Sequence, residues 1–261
     1  MKTYFSFIKA TMKEQSRSPG VLFIRACFMC LMLIIFNQFW SVLKATGNTA
    51  IQLNASDFLW YLLIGCILQF SRPEGLHKQI EDDVKSGNIA YQMIRPINII
   101  AIYFCQSLGT FLIRTPFLFF VGSCVIYLIS DTLLPYVFHY LPCFAFLLFL
   151  SICFISLCTV FIGLSTLYLQ DSLPFFWIIQ KCEYVLGGLF FPIIFYPDWI
   201  YRFCLMTPFA WSGYAISSLM YDWSFLKAFL ILTHLIFWNI FMVSAVYILF
   251  LFIKKRVSIH G

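Results

Sequence analysis

Long stretches without charge dominate the chain, and their lengths predict its architecture. Three of them come close to or exceed the roughly 20 residues that a helix needs to cross a bilayer: 26–43 with short extensions, 141–170 and 228–253. Two more are less regular, because 57–71 is short and 97–129 is long. The pattern predicts an all-α polytopic membrane protein in which residues 1–261 form a single transmembrane domain.

The stretch 97–129 is too long for the bilayer alone. As one helix, with a rise of about 1.5 Å per residue, it would measure roughly 50 Å against a hydrocarbon core of about 30 Å. Its first part, 98–115, carries several polar side chains, whereas 117–129 is apolar apart from Ser123. We therefore expect 98–115 to be the cytoplasmic and interfacial part of the third span.

The segment 173–220 is interrupted by charge and by proline. Lys181 and Glu183 lie near its start, and four prolines divide it: Pro174, Pro192, Pro197 and Pro208. We expect one span over about 174–195, in which Pro192 breaks the helix one turn after Gly188. Residues 196–221 would then fold back into the outer leaflet as a re-entrant element between spans 5 and 6.

Composition and charge place this architecture in a membrane and give it an orientation. The chain is 62% hydrophobic and 11% charged, whereas about a quarter of the residues in soluble domains are charged. The positive-inside rule assigns basic clusters to the cytoplasm, and these lie at both ends: Lys2, Lys9, Lys13, Arg17 and Arg25, then Lys254, Lys255 and Arg256. The number of spans is then even, which gives six transmembrane helices. We expect a multi-pass protein of the cell inner (cytoplasmic) membrane with both termini cytoplasmic.

The first residues predict a helix that lies on the inner leaflet. Apolar residues recur there at helical spacing, and lysines occupy the other positions: Tyr4, Phe5, Ile8 and Met12 form the apolar set. This pattern is typical of an amphipathic helix in the plane of the membrane. We expect an N-terminal interfacial helix that ends where residues 18–20 turn the chain into the first span.

A densely charged segment, 74–96, separates the second and third spans. Within it Leu76, Ile80 and Val84 are four residues apart, so they share one face of a short helix. A helix this short is marginal in water, and its apolar stripe therefore needs a surface to pack on. Because the three acids at 81–83 would be repelled by anionic headgroups, a partner protein is favoured over lipid.

Local spacing supports this helix. Two pairs of opposite charge have the favourable i, i+4 spacing with the acid first: Glu74 with Lys78 and Glu81 with Lys85. Gly87 is a C-cap candidate, because glycine accepts the left-handed conformation that ends helices. A second short helical turn over 89–94 is expected before the next proline.

A family resemblance lies in the run E-D-D-V-K-S-G-N-I-A-Y-Q-M-I-R-P at 81–96. It is similar to the cytoplasmic motif of type 2 ATP-binding-cassette (ABC) exporter permeases with six spans. The residues that match an acid, glycine, isoleucine and basic-proline pattern are Glu81, Asp83, Gly87, Ile89, Arg95 and Pro96. Downstream, 187–199 and Thr207-Pro208-Phe209 resemble the family's glycine, proline and P-x-W pattern. With the six-span layout, the resemblance covers nearly the whole chain.

The resemblance implies a function. The chain would be the permease subunit of an ABC exporter and would move a substrate outward across the membrane. ATP hydrolysis in a separate ATPase would power it, and an ATPase dimer would dock on 74–96 as a cytoplasmic coupling helix. The residues implied in this coupling are Leu76, Ile80, Glu81, Asp83, Val84, Gly87, Arg95 and Pro96. A second permease chain, identical or homologous, would complete the assembly.

The sequence contains no phosphate-binding loop of the ATPase type. No G-x-x-x-x-G-K-[ST] run occurs, and no lysine follows a glycine. ATP and Mg²⁺ would therefore be bound by the partner ATPase, and this chain would be a transport subunit rather than an enzyme. We expect no cofactor, metal site or nucleic-acid partner for the chain itself, and the lipid bilayer is its other partner.

Two ionisable residues about two turns into the fifth span are functional candidates. Lys181 has the option of snorkelling toward the inner interface. Glu183 either lines a substrate path or pairs with Lys181 or with Arg114 of a neighbouring helix. Together with the glycine and the proline of the same span, the candidates for the substrate path are Lys181, Glu183, Gly188 and Pro192.

Two other functions remain open from the sequence. An intramembrane serine protease, similar to the rhomboid type, would use Ser165 in the fourth span and His234 in the sixth, although Thr166 replaces the glycine after the serine. A membrane anchor for a cytoplasmic partner would keep the charged helix but would not need a proline-broken fifth span. Peptidase activity that Ser165→Ala abolishes would favour the protease, and a neighbouring ATPase gene would favour the exporter.

Overall fold

Helices make up the regular structure of the computed structural model, which describes residues 2–45, 54–93, 97–131, 140–166 and 168–260. Twelve α-helices follow one another in these ranges: α1 (Lys2–Ser16), α2 (Pro19–Ala45), α3 (Ala55–Phe70), α4 (Leu76–Lys85), α5 (Asn88–Met93), α6 (Ile99–Ser130), α7 (Leu141–Ser165), α8 (Leu173–Val185), α9 (Asp198–Met206), α10 (Pro208–Ser212), α11 (Tyr214–Ser218) and α12 (Phe225–His260). Among them α2, α6, α7 and α12 are long and apolar enough to cross a membrane. The expected all-α, membrane-embedded character is confirmed at this level.

Helix α3 occupies the centre of the bundle. All of its residues from Phe58 to Gln69 are buried, and it contacts α2, α6 and α11. Such a position suits a helix that is apolar on every side. Its 16 residues rise about 24 Å, which is less than the hydrocarbon core of about 30 Å.

The long helices pack around α3 and leave two distinct ends. At one end the Trp40 ring of α2 stacks on Phe58 of α3, with ring centroids 4.1 Å apart. At the other end α3 leads through a short turn into α4. Helices α7 and α12 form an extensive contact along the side, where the Asn239 amide donates to the Leu150 carbonyl at 3.1 Å.

Helix α1 packs along the first half of α6. The backbone amide of Asn98 donates to the Tyr4 hydroxyl at 3.1 Å, and a Cβ at Gly109 would lie 2.9 Å from the Ile8 carbonyl oxygen. Polar residues of this half are buried: Ser107, Thr110 and Arg114. Helix α6 continues through Pro116 without interruption. The part expected to project from the membrane is therefore covered by α1 and is continuous with the rest of α6.

Helix α8 ends earlier than the sequence predicts. It covers only Leu173–Val185, and the chain then turns at Gly188, whose φ of +56° is left-handed and accessible to glycine at low cost. Pro192 comes after this turn and begins a single 3-10 turn, Ile193–Phe195. The prediction that Pro192 breaks the helix is wrong, because the glycine turn has already ended it.

Short helices fill the bundle after this turn. Every residue of α11 is buried, and α10 contacts α7 and α12. The Ser151 hydroxyl of α7 donates to the Ser212 carbonyl, and the Trp211 indole donates to the Leu205 carbonyl at 2.8 Å. Irregular backbone among apolar helices is tolerated only where protein groups satisfy it, and these bonds meet that condition.

Candidate functional site

The charged segment folds as α4 followed by α5. Helix α4 is present where the spacing of apolar residues predicts it, and α5 takes the place of the predicted second turn. The Ser86 amide donates to the Asp82 carbonyl at 2.9 Å. Gly87 follows with a φ of +72°, so the helix ends in the left-handed conformation expected at this glycine.

The apolar stripe of α4 is covered by the chain itself. Ile80 is 0% exposed, Leu76 is 5% exposed and Val84 is half-buried. Around the stripe lie side chains from three long helices: Ile99 and Tyr103 of α6, Val160 and Leu164 of α7, and Val246 and Ile253 of α12. Gly163 of α7 makes room, since a Cβ there would lie 2.7 Å from the Cβ of Ile80.

This packing corrects one inference from the sequence. The spacing of Leu76, Ile80 and Val84 favours a partner protein as the surface that covers them, but α7 and α6 cover them instead, in one cluster with side chains of α12. Periodicity identifies which face of a helix is buried and carries no information about the surface that buries it. Because the apolar face of α4 is covered, only the opposite face of this helix is accessible to a partner protein.

The opposite face of α4 is polar and accessible. Its exposed residues, called the polar face below, are Lys78, Gln79, Asp82 and Lys85. Exposed residues continue through Gly87 into α5, where Tyr91 is 74% exposed. Two residues that the resemblance implies in coupling, Arg95 and Pro96, lie outside the described residues.

Asp83 connects α4, α5 and α6. The Tyr103 hydroxyl of α6 donates to one carboxylate oxygen at 2.6 Å, and the side-chain amide of Asn88, at the start of α5, donates to the other at 2.8 Å. Ile89 is almost fully buried beside them. Asp83 thus fixes the geometry of the segment, and both of its oxygens are engaged within the chain.

Glu81 connects α4 to the start of α8. Its carboxylate forms the predicted ion pair with Lys85 and accepts hydrogen bonds from the Ser172 hydroxyl and, at 3.0 Å, from the Ser172 amide. Burial raises the pKa of Glu81, but the bonds from Lys85 and Ser172 outweigh burial and lower the pKa to about 2. The second predicted i, i+4 pair is not formed, because Glu74 precedes the helix and pairs with Arg25 at 3.0 Å.

His77 joins the same two helices by stacking on Phe176 of α8. Their ring centroids are 4.2 Å apart and their planes differ by 7°, and both side chains are buried. The guanidinium carbon of Arg72 lies 5.6 Å from the centroid of the same phenylalanine. Burial lowers the pKa of His77, and Arg72 lowers it further against the opposing effects of Glu81 and Asp171.

Arg72 and Glu183 form a buried ion pair between the turn before α4 and the last turns of α8. Only 2% and 3% of these side chains are exposed. The sequence suggests Lys181 or Arg114 as the partner of Glu183, and both of these predicted pairings are wrong. Lys181 is exposed, with its ammonium 5.0 Å from the Tyr184 ring centroid, and Arg114 donates to the Arg72 carbonyl at 2.6 Å.

The four candidates for the substrate path do not line one surface. Lys181 faces outward, whereas Glu183, Gly188 and Pro192 are buried. The cavity beside Glu183 has a volume of ≈ 10 Å³, about the minimum for one water molecule. The Tyr61 hydroxyl of α3 donates to the Gly188 carbonyl. In this conformation the three buried residues belong to the protein interior, and Lys181 alone of the four is accessible.

Two polar clefts lie beside the polar face of α4. One, of ≈ 640 Å³, lies among α1, the turn before α4 and α6, and the other, of ≈ 320 Å³, lies among α1, α4, α5 and α6. Gln79 and Gln106 line both. Charges of both signs line the larger cleft: Glu14, Arg25, Glu74 and Arg114. This end of the bundle thus presents a concave polar surface next to the polar face.

Ser165 and His234 are not brought together. The Ser165 hydroxyl donates to a carbonyl of its own helix at 2.7 Å, and the His234 ring stacks on Trp211 with centroids 3.6 Å apart. Asn239 lies close to His234 on α12 and contacts α7 at Leu150. Ser165 lies further along α7, about 22 Å from Leu150. Residues later in α12 contact that end of α7. Proton transfer needs about 3 Å, so this pair does not fit a serine protease.

No protein-family model matches the chain, and no curated protein matches it. The resemblance to type 2 ABC exporter permeases therefore depends on the motif residues and on the six-span layout that the sequence predicts. The function of the chain has to be inferred from the charged segment and its contacts.

Proposed function

We propose that this chain is the permease subunit of an ABC exporter, which moves a substrate outward and is powered by ATP hydrolysis in a separate ATPase dimer. One observation carries the proposal. Helix α4 has an apolar face packed on α7 and α6, in a cluster that α12 completes, and an opposite face that is polar and exposed. In such a helix, a force that a partner protein applies to the polar face is transmitted through the apolar face to the bundle.

The buried face of α4 provides a firm mechanical contact. Protein interiors are packed as densely as organic crystals, so a displacement of one side chain displaces its neighbours. Ile80 fits so closely over Gly163 that even a methyl group at the glycine would require one of them to shift. Motion imposed on α4 would therefore reach α7 and α6 directly, and α12 through its contact with α7.

The elements expected in the cytoplasm lie at the same end of the bundle as α4. The Arg114 guanidinium donates to Gln15 of α1 at 2.7 Å, and Ile253 near the end of α12 belongs to the cluster around Ile80. Helix α1 carries three lysines, and Ile253 is followed directly by Lys254, Lys255 and Arg256. By the positive-inside rule, this supports a cytoplasmic location for both termini and for α4.

Six crossings of the inner membrane are proposed for α2, α3, α6, α7, α8 and α12. Two of these helices are short: α3 rises about 24 Å, and α8, with 13 residues, rises about 20 Å. The segment that follows α8, with the partly buried α10 and the buried α11, would complete the fifth crossing. It would form the re-entrant element of the outer leaflet, because protein groups rather than water satisfy its backbone.

The ATPase dimer would bind the polar face of α4 and the clefts beside it. Asp82 would meet a basic group of the ATPase and Lys78 an acidic one, because complementary charges fix the orientation of such interfaces. Asp83 and Glu81 would hold the helix in place for this contact. ATP and Mg²⁺ would be bound in the ATPase, where the hydrolysis takes place.

The exposed face of α8 supports the presence of a second permease chain, identical or homologous. Trp177 and Ile178 are 58% and 57% exposed, and Lys181 is exposed one helical turn after Trp177. A charged group that faces hydrocarbon is costly. A second chain would cover this face, and Lys181 would then border the substrate path between the two chains.

Co-purification with an ATPase encoded next to its gene tests the proposal. The two proteins are expressed together, and the permease is purified in detergent through an affinity tag. We expect the ATPase to be retained and to hydrolyse ATP. Reversing the charge of two polar-face residues, Lys78→Glu with Asp82→Lys, should weaken retention at least about tenfold, because like charges would then oppose each other.

A matched charge reversal serves as the control. Asp198→Lys changes an exposed acid at the start of α9, far from the polar face, and should leave retention of the ATPase unchanged. Equal retention by the polar-face variant and by the unmodified chain would contradict the proposed docking surface. Absence of any associated ATPase, with the chain intact in the membrane, would contradict the proposed function.

A further inference from the structure

Three contacts join α8 to α4 and to the turn that precedes α4: Glu81 with Ser172, His77 with Phe176, and Arg72 with Glu183. They are spaced along the whole of α8, from its N-cap residue Ser172 to its last turn. All six side chains are buried. Helix α8 is therefore attached to the charged segment at both of its ends.

The ion pair is the contact that depends most on having both partners in place. A buried charge that loses its counter-charge is strongly destabilised, because neither water nor a high dielectric compensates it. Among the described residues, the second carboxylate oxygen of Glu183 and the Nε of Arg72 have no hydrogen-bond partner. The backbone of Arg72 is itself fixed on α6 through Arg114. The pair thus binds the last turn of α8 to a rigid point.

Glu183 stands one turn before the break that ends α8. Just after the break, the Gly188 carbonyl accepts the hydrogen bond from Tyr61 of α3. The Leu189 carbonyl lies so close to Gly65 that a Cβ there would overlap it. Both contacts lie in the buried part of α3. Movement of the last turn of α8 would therefore act on the centre of the bundle.

We propose that Arg72 and Glu183 form a latch that makes α8 move together with α4, and that Glu81 holds the other end of α8 in the same way. The inference rests on the proposed function, since the load on α4 comes from the ATPase. The latch adds a second path by which motion of α4 would reach the bundle, through α8 to the centre of α3. Arg72, Glu183 and Glu81 are positioning residues and do not touch a substrate.

Pulsed electron paramagnetic resonance on the complex of this chain with its ATPase in lipid nanodiscs tests the latch. Spin labels are attached through unnatural amino acids, because the chain has ten cysteines. The first pair, at Tyr91 of α5 and Lys181 of α8, reports the distance between the charged segment and α8. The second pair, at Tyr91 and Phe28 of α2, reports whether the charged segment moves. Tyr91 lies outside the polar face that the ATPase would bind, and all three positions are exposed. Each distance is measured without nucleotide and with ATP trapped by vanadate.

We expect ATP to change the second distance and to leave the first one unchanged. In Glu183→Gln, which removes the charge and keeps the shape, the share of complexes with an altered first distance should rise about tenfold, the size typical of a coupling contact. The reversed pair Arg72→Glu with Glu183→Arg should restore the unmodified behaviour. Asp198→Asn, which neutralises an exposed acid, should have no effect and is the matched control.

The latch is overturned if ATP changes the first distance in the unmodified complex as much as the second, or if Glu183→Gln behaves like the unmodified chain. If ATP changes neither distance, the proposed function fails. The latch is then judged from the chain alone in nanodiscs. A broader distribution of the first distance in Glu183→Gln supports it, and an identical distribution overturns it.

Discussion

The two ends of α3 are held by different kinds of interaction. The charged end, where α3 leads toward α4, consists of ion pairs and hydrogen bonds made by Arg25, Arg72, Glu74, Arg114 and Glu183. The aromatic end, where α3 begins, consists of stacked and tilted rings: Trp40, Phe58, Tyr61, Phe195 and Tyr214. Both ends are largely buried, so the difference lies in chemistry rather than in exposure.

This difference in chemistry gives the two ends different roles: one transmits motion, and the other keeps the bundle in place. A buried ion pair depends on one specific partner, and its loss leaves an uncompensated charge. Aromatic contacts tolerate several geometries, and each adds a small amount beyond the area that it buries. The charged end therefore has the properties of a part that must move in one defined way. The aromatic end has the properties of a part that stays in place.

Removal of Glu183 is expected to have the largest effect. Glu183→Ala leaves Arg72 buried without a counter-charge, which should lower the free energy of unfolding by about 3–5 kcal/mol. The double variant Arg72→Met with Glu183→Leu removes both charges and should recover most of the loss. Denaturation of the detergent-purified chain measures both. Equal destabilisation in the single and double variants would show that the pair does not hold the charged end.

Crowding of the contact between α4 and α7 is expected to have the next largest effect. Gly163→Ala places a methyl group against Ile80 and should cost about 1–3 kcal/mol, the usual cost of overpacking. Ile80→Ala removes two of the three obstructing atoms, Cγ2 and Cδ1, so the double variant should be less destabilised than the sum of the two single variants. Additive effects in this double-mutant cycle would contradict the close packing of α4 on α7.

At the aromatic end the expected effect is smaller. Phe58→Leu keeps an apolar side chain but loses the stacking on Trp40, which should cost about 1 kcal/mol of unfolding free energy. Phe225→Leu is the matched control, because Phe225 is 80% exposed, and it should change stability little. A loss as large as that of Glu183→Ala would remove the distinction between the two ends.

Acid sensitivity of the charged end gives the smallest expected effect. The pKa of buried His77 lies below its ordinary value of 6.5, so below pH 6.5 the unfolded chain binds a proton that the folded chain does not. Stability contributed by neutral His77 is therefore complete above that pH and falls as the pH decreases. The loss from pH 8 to pH 6 should reach at most about 0.8 kcal/mol.

His77→Phe isolates this contribution. Phenylalanine preserves the stacking on Phe176 and cannot be protonated, so the variant should lose the part of the pH dependence that His77 supplies. Unfolding of both proteins is measured at pH 8 and pH 6. The same pH dependence in His77→Phe and the unmodified chain would show that protonation of this ring is not linked to folding.

The sequence predicts the local features of the site well. The spacing of Leu76, Ile80 and Val84 locates α4 and its buried face, and Gly87 marks its end. The Glu81–Lys85 ion pair follows from i, i+4 geometry. Each of these features depends on residues within one or two helical turns, so helical periodicity alone determines them.

The contacts between distant segments could not be predicted in the same way. Arg72 and Glu183 are 111 residues apart, and nothing local indicates that Arg72, rather than Lys181 or Arg114, is the partner. Both residues carry a charge next to a long apolar stretch, and this position marks each of them as a candidate for a buried ion pair. Likewise the sequence favours Pro192 as the helix break, because proline is the stronger helix breaker, whereas a turn that the left-handed Gly188 makes possible ends the helix first.

The side of the membrane on which α4 lies is the claim on which the exporter proposal depends most. Lys78→Cys in a cysteine-free version of the chain, treated with a membrane-impermeant maleimide, tests it in intact cells and in inverted membrane vesicles. We expect labelling in inverted vesicles only, with protection when the ATPase is bound. Labelling of Cys at this position in intact cells would place the polar face outside the cytoplasm and would contradict the proposed function.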